Sequence, residues 1–517
     1  MIINYHETYV LIILIILIIL TILIFHILRY FNKIEEFTTI YVSNAVAQSG
    51  KYGHTCLQCG DGQEPNEDKT GCKQIIIPVL YSCGYNRKGQ LGLGNDAVRI
   101  RTSPGLIQKF YNTTSDINYD EITIIETSGG GLHNLFLTDA GHVYSCGDSS
   151  KGQLGLDNKD EKNIPTLIRW FNDTSTSLNH RINYDAIRII EISAGEFHSL
   201  FLTEAGYVYS CGDSSDGQLG LHNKDDKNIP TLIRWFNDTS TSSYINYDAI
   251  RIIEISSCGY HSLFLTDVGH VYSCGNNEQG QLGLGNKDGE KNIPTPIESY
   301  NYMDSNNVKF NINSGNFNIT QISAGKFHSL FLTNAGSVYS CGNNRQGQLG
   351  LGLGHNDLVE DVPTLIRWFN ITQISAGGYH SLFLTEAGYV YSCGYNHQGQ
   401  LGLGRNDLGE NFPRLIEKFY DTSTSTSSYI NYDAIRIIEI SAGMNHSLFL
   451  TNDGNVYSCG QNVFGQLGLG NKEPENRPTL IQSVNNIKKI SCGMYHNLFL
   501  GFRQGTTNME EEEEEEE

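Results

Sequence analysis

The chain is short of positive charge. Against 56 Asp and Glu it carries only 35 Lys and Arg, a formal net charge of −21 over 517 residues. Eight consecutive glutamates, Glu510 to Glu517, supply eight of those charges, so the rest of the chain still stands at −13. Binding to a phosphate backbone needs Lys and Arg to displace counterions, so this balance argues against a nucleic-acid partner. Catalytic signatures are missing too: there is no nucleophile elbow, zincin, kinase or dinucleotide motif. Gly-Gln-Leu-Gly recurs, but no Lys-Ser/Thr follows it and no helix is signalled, so it is not a phosphate loop. The expected protein is therefore not an enzyme and uses no cofactor.

What is present is repetition. GYVYSCGDSSDGQLGL, residues 206–221, returns with few changes from Gly141, Gly269 and Gly388. Tyr-Ser-Cys-Gly occurs seven times, with its cysteine at Cys83, Cys146, Cys211, Cys274, Cys341, Cys393 and Cys459. Gly-x-x-His-(Ser/Asn)-Leu-Phe-Leu also occurs seven times, at His133, His198, His261, His328, His380, His446 and His496. From Cys to the Gln of Gly-Gln-Leu-Gly the offset is always 7, whereas Gln to the next His varies from 30 to 47. A fixed core with elastic connections is the mark of a repeat architecture.

HSLFLT and YVYS read as two strands joined by a three-residue loop, Glu204-Ala205-Gly206, whose glycine suits a left-handed residue. RIIEISAG supplies a strand before them and Gly-Gln-Leu-Gly a turn into an outer one, giving one propeller blade per unit. The first Tyr-Ser-Cys-Gly, at Tyr81, lacks a histidine motif before it, and the last histidine motif, at His496, lacks a Tyr-Ser-Cys-Gly after it. Each end holds the half-hairpin the other lacks. Joining them predicts an all-β, closed, seven-bladed propeller over residues 75–502, with Tyr81 and Phe499 neighbours.

This pattern resembles the repeat of the regulator of chromosome condensation family over roughly residues 79–502. The resemblance implies a seven-bladed propeller. It also implies guanine-nucleotide exchange on a small GTPase as an alternative function, although no exchange wedge maps onto numbered residues. Chromatin binding lacks the basic tail it needs. Light sensing, as in the plant ultraviolet-B photoreceptor of this fold, lacks the clustered Gly-Trp-Arg-His-Thr copies. One departure is systematic: Cys stands where the family commonly places an aromatic before the Gly.

A histidine needed in every blade is a blade part, so the seven are read as structural, satisfied by backbone partners, and not as a metal site. The seven repeated cysteines are read as small hydrophobes in half-buried strands, too far apart for disulfides. Trp170, Trp235 and Trp368, in a Leu-Ile-Arg-Trp-Phe-Asn phrase, are read as an apolar stitch and, functionally, as candidate aromatic anchors for a partner. The tracts DTSTSLNH and DTSTSTSS that follow such phrases read as solvated loops.

The remaining segments lie outside the propeller. Residues 1–8 are a flank. Tyr9 to Leu28 is an apolar run long enough to span a bilayer as a helix, which predicts a single-pass membrane protein. A cleaved signal peptide with a site at Ala45-Val46-Ala47 is the competing reading. Residues 29–55 form a linker. Arg29 and Lys33 after the span favour a cytosolic propeller. Residues 56–72 oppose that, because Cys56, Cys59 and Cys72 resemble an extracellular cysteine-rich module and would then form a disulfide. In the cytosol the three cysteines with His54 have zinc-ligand spacing. The side of the membrane stays open. Residues 503–517 form an acidic tail, disordered by self-repulsion. The function expected is a membrane-anchored, non-catalytic interaction scaffold, monomeric, with a protein partner.

Overall fold

The computed structural model describes residues 76–94, 98–112, 115–118, 122–173, 180–183, 186–238, 243–246, 249–303, 309–313, 318–352, 358–366, 370–407, 409–421, 428–431 and 435–504, with the strand pair 63–65 and 72–74. The chain divides into two compact units, Pro78–Arg503 and the two flanking segments. In the smaller unit Gln63–Pro65 pairs antiparallel with Cys72–Gln74. The expected membrane span Tyr9–Leu28, Cys56, Cys59, the side chain of Cys72 and the glutamate tail lie outside the described residues. Among the described residues no helix is long and apolar enough to cross a membrane.

The larger unit is a ring of seven four-stranded sheets. The third blade shows the plan: Ile189–Ala194, His198–Thr203, Val208–Gly212 and Lys227–Leu232, each antiparallel to the next. The Glu204-Ala205-Gly206 loop closes as the sequence predicts. Gly206 takes φ 87°, where a side chain would be strained, and its N–H donates to Thr203 O at 2.9 Å. Blades two to seven occupy residues 124–167, 189–232, 252–296, 319–366, 371–415 and 437–480. Blade one is built from both chain ends, in the order Ile487–Cys492, His496–Gln504, Ile76–Tyr85, Ile100–Leu106. Phe499, Cys83 and Tyr81 share one core cluster there. The seven innermost strands lie side by side in a closed circuit, Ile487–Cys492 next to Ile124–Gly129.

The variable connections hold more structure than the sequence suggests. Five of them fold into a hairpin: Lys109–Asn112 with Ser115–Asn118, Trp170–Asp173 with His180–Asn183, Trp235–Asp238 with Ser243–Asn246, Ser299–Met303 with Lys309–Asn313, and Lys418–Asp421 with Ser428–Asn431. The Ser/Thr tracts read as loops thus have strands at both ends. Each hairpin reaches the outer edge of the next blade. Tyr111, Asn172, Asn301 and Tyr420 pair in parallel with Thr166, Thr231, Thr364 and Thr479 of the outer strands. An aromatic anchors each one. Phe110, Phe171, Phe236, Tyr300 and Phe419 sit edge-on to a blade Tyr at 5.2 to 5.5 Å between ring centres. This covers sheet edges that would otherwise invite association.

Candidate interaction face

A hydrogen-bond latch repeated at every blade interface holds the ring rigid. The ring nitrogen Nε2 of His198 meets Ser262 Oγ of the next blade at 2.9 Å, and that hydroxyl donates to Gln218 O at 2.8 Å. Because the hydroxyl proton is spent on the carbonyl, Nε2 carries the histidine proton. The thiol of Cys274 donates to the same carbonyl at 3.6 Å. Equivalent bonds link His133 to Ser199, His261 to Ser329, His328 to Ser381 and His380 to Ser447. At the two interfaces of blade one an asparagine replaces the serine: His446 meets Asn497 and His496 meets Asn134. Each histidine Nε2 is met by a side chain of the neighbouring blade, not by the backbone partner that the sequence suggests. Burial holds them neutral, with pKa values lowered to about 3 or 4. Their Nδ1 atoms find no hydrogen-bond partner among the described residues.

The seven repeated cysteines are fully buried rather than half-buried, and the nine described cysteines are free thiols. Burial pushes the thiols up, so they are inert. The thiol packs against a repeat glycine: a Cβ on Gly92 would lie 3.2 Å from the Pro165 ring and 3.3 Å from Cys146 Sγ.

The latch brings two loops per blade to one face: Gly-x-x-His, and the turn from Cys-Gly to Gly-Gln. The residue just before each histidine is half-buried there: Leu132, Phe197, Tyr260, Phe327, Tyr379, Asn445 and Tyr495. Five of the seven are aromatic. Tyr260, Phe327 and Tyr379 form a continuous arc, with ring centres 6.4 and 5.7 Å apart, which Tyr395 extends at 6.3 Å. A second arc joins Tyr85, Phe464 and Tyr495 at 4.9 and 5.3 Å. Beside the first arc is a depression of about 480 Å³ whose polar wall includes Asp216, Glu278, Asn343 and Arg345.

At the centre the axis is nearly closed, leaving about 30 Å³ among Gly130, Gly195, Gly443, Gly493, Met444 and Met494. Lys326 and Glu196 pair across its mouth at 2.9 Å, and Lys326 Nζ lies 5.6 Å from both the Tyr260 and Phe327 rings. Burial alone would lower the Lys326 ammonium, but the Glu196 carboxylate outweighs it and the pKa is raised. Among the described residues no group of three or more His, Cys, Asp or Glu could hold a metal ion.

The tryptophans fall elsewhere. Trp170 and Trp235 stand on the hairpins of blades three and four, 39% exposed. The stitch is the next residue, Phe171 or Phe236, which is buried. Trp368 lies outside the described residues. Sequence reasoning missed the aromatic face, although the signal was present: five of seven positions before the repeated histidine are Phe or Tyr.

Comparison with known proteins gives consistent results. An RCC1-like domain model matches residues 237–507, and the regulator of chromosome condensation (RCC1) repeat matches 140–202 and 205–265. A Dictyostelium discoideum bifunctional serine/threonine-protein kinase/NEDD4-like E3 ubiquitin-protein ligase is 30% identical over 424 residues. The match takes in 72% of this chain but 21% of that protein. The ultraviolet-B receptor UVR8 of Arabidopsis thaliana is 28% identical, over 74% of this chain and 77% of its own length. The X-linked retinitis pigmentosa GTPase regulator of Mus musculus is 30% identical over 63% of this chain and 32% of its own. Among solved structures, Prp20p of Saccharomyces cerevisiae superposes with a TM-score of 0.61 at 22% identity, covering 84% of this chain and 93% of that one. Seven latched blades, closed through a blade drawn from both chain ends, are thus the form in which this chain belongs to the regulator of chromosome condensation (RCC1) family.

Proposed function

We propose that the protein is a non-catalytic docking scaffold whose partner, another protein, lands on the aromatic face. The observation that carries this reading is the arc of Tyr260, Phe327 and Tyr379, half-exposed on a rigid ring beside a polar depression. Aromatic anchors rimmed by polar groups are the usual energetic centre of a protein interface. Exposed rings cost apolar hydration, and a rigid ring loses little entropy when they are covered. The apolar run Tyr9–Leu28 tethers the scaffold to a membrane, and the acidic balance keeps nucleic acid away.

The test is capture of partners by the full chain and by a Tyr260→Ala, Phe327→Ala, Tyr379→Ala triple variant, with thermal unfolding as the folding control. The reading expects partners retained by the full chain and lost, at unchanged unfolding temperature, by the variant. Equal capture by both chains sinks it. Carbonate extraction of membranes checks the tether, which is expected to hold the full chain in the pellet and to release a chain lacking residues 9–28.

A second reading, guanine-nucleotide exchange on a small GTPase, is favoured by the match to a relative named as a GTPase regulator. Release of labelled GDP decides it, and no acceleration at micromolar protein removes it.

A further inference from the structure

Charge is spread unevenly over the aromatic face. Around much of it the ionic groups are paired: Lys88 with Asp148 and Glu161, Lys151 with Asp213 at 2.7 Å, and Lys326 with Glu196 at 2.9 Å. Asp216 and Glu278, in the polar wall beside the first arc, enter no ion pair among the described residues. Asp216 accepts a hydrogen bond from Asn276 Nδ2 at 2.9 Å, and Glu278 is exposed. The same wall holds a single cation, Arg345, also exposed. Two carboxylates against one guanidinium leave the depression with one net negative charge. The Tyr260 hydroxyl registers that field: burial raises its pKa, and the carboxylates of Glu196 and Asp216 raise it further against the opposing Lys326. The arc already carries one cation of the chain's own. Lys326 Nζ lies 5.6 Å from the Tyr260 and Phe327 rings, with Glu196 as its counter-ion. Among the described residues no cation reaches the third ring, Tyr379, at such a distance. Phe327 and Tyr379 meet with centres 5.7 Å apart and planes tilted by 40°.

We propose, resting on the docking of a partner at this arc, that the residue it seats in the depression is an arginine. Its guanidinium lies on the Tyr379 and Phe327 rings and its N–H groups donate to Asp216 and Glu278. The pattern is the one the chain itself uses a few ångströms away, where Lys326 rests on two rings and answers a carboxylate. About 480 Å³ gives room for one long side chain. A planar guanidinium can stack on a ring while its N–H groups still reach carboxylates at the rim, and it sheds water more readily than an ammonium. The second arc offers no such seat, because Arg87 follows Tyr85 by two residues in the same turn and is exposed. A cation is repelled there, so the partner's charge also fixes which arc it meets.

The probe is a fluorescent acetyl-Gly-Leu-Arg-Leu-Gly-amide, titrated into the full-length protein and read by anisotropy. Saturable binding is expected. It should weaken at least about tenfold when citrulline, the same shape without the charge, replaces the arginine, and about threefold with lysine. Asp216→Asn combined with Glu278→Gln should weaken it about fivefold, and Tyr379→Ala about as much. Arg345→Ala should tighten it about twofold, a gain that a damaged fold cannot give. No saturable binding, equal binding of the citrulline peptide, or indifference to the double variant overturns the arginine assignment. If the peptide fails while captured partners still depend on Tyr260, Phe327 and Tyr379, the arc remains a docking site and only its arginine falls.

Discussion

Each latch histidine is a small acid sensor whose sign is fixed. An unfolded histidine takes up a proton near pH 6.5, whereas the folded rings hold out to about pH 3 or 4. Their stabilising contribution is thus complete above pH 6.5 and lost as pH falls below it. Each contributes a slope of about 1.4 kcal/mol per pH unit in that window, so the ring should lose stability steeply between pH 6.5 and pH 4. Denaturant unfolding at a series of pH values should show His261→Gln reducing that slope by one histidine's share. An unchanged slope would mean the rings titrate normally.

Glu439 has the opposite dependence. Burial at the axis, with Glu126 nearby and Lys489 opposing, raises its carboxyl to about 7. The folded state then prefers the protonated form, and stability falls as pH rises from about 4.5 to 7. Gln321 and Gln373 accept the same inter-blade backbone N–H without a charge, at 2.9 and 3.0 Å, as Glu439 does from Ile490 at 3.3 Å. Glu439→Gln should therefore stabilise the protein by roughly 1 to 3 kcal/mol at pH 8 and by nothing at pH 4. Paired unfolding curves at the two values check it.

At the scale of elements, the hairpins separate residues that look alike in the sequence. Phe171 touches Phe201 and Tyr209 in a buried seat, while Trp170 beside it faces solvent. Phe171→Ala should cost about 3 to 4 kcal/mol and Trp170→Ala less than about 1. Equal losses in thermal unfolding would refute the assignment.

The sequence made the four blade strands legible because their alternation, turn glycines and offsets repeat seven times. It hid the hairpins because polar tracts such as DTSTSTSS carry no period of their own. Only the strands at each end, placed against a neighbouring blade, reveal them. The latch was hidden for a related reason. Its partners lie one repeat apart, so His261 gives no sign in sequence that Ser329 waits for it. The aromatic face is legible at Phe197, Tyr260, Phe327, Tyr379 and Tyr495, in a column next to the repeated histidine, whereas the tryptophans lie on the hairpins away from it.

At the scale of the whole molecule, closure joins the earliest blade strand to the last. His496–Gln504 lies between Ile487–Cys492 and Ile76–Tyr85 in one sheet. A chain ending at Cys492 would lose one of the two central strands of blade one and both asparagine latches, at His446 and at His496. It should unfold at a lower temperature and less cooperatively than the full chain, as blade one and its latches are lost. Transitions by fluorescence and by circular dichroism that keep the full chain's temperature and steepness would contradict this.

That arrangement also sets a clock on birth. A ribosome moving at about 5 to 20 residues per second needs roughly 20 to 80 s to travel from Tyr81 to Leu500. For most of that interval Ile76–Tyr85 can pair with Ile100–Leu106 on one side while its other edge waits for His496–Gln504. That open edge is exposed to capture by other strands until Leu500 has been made.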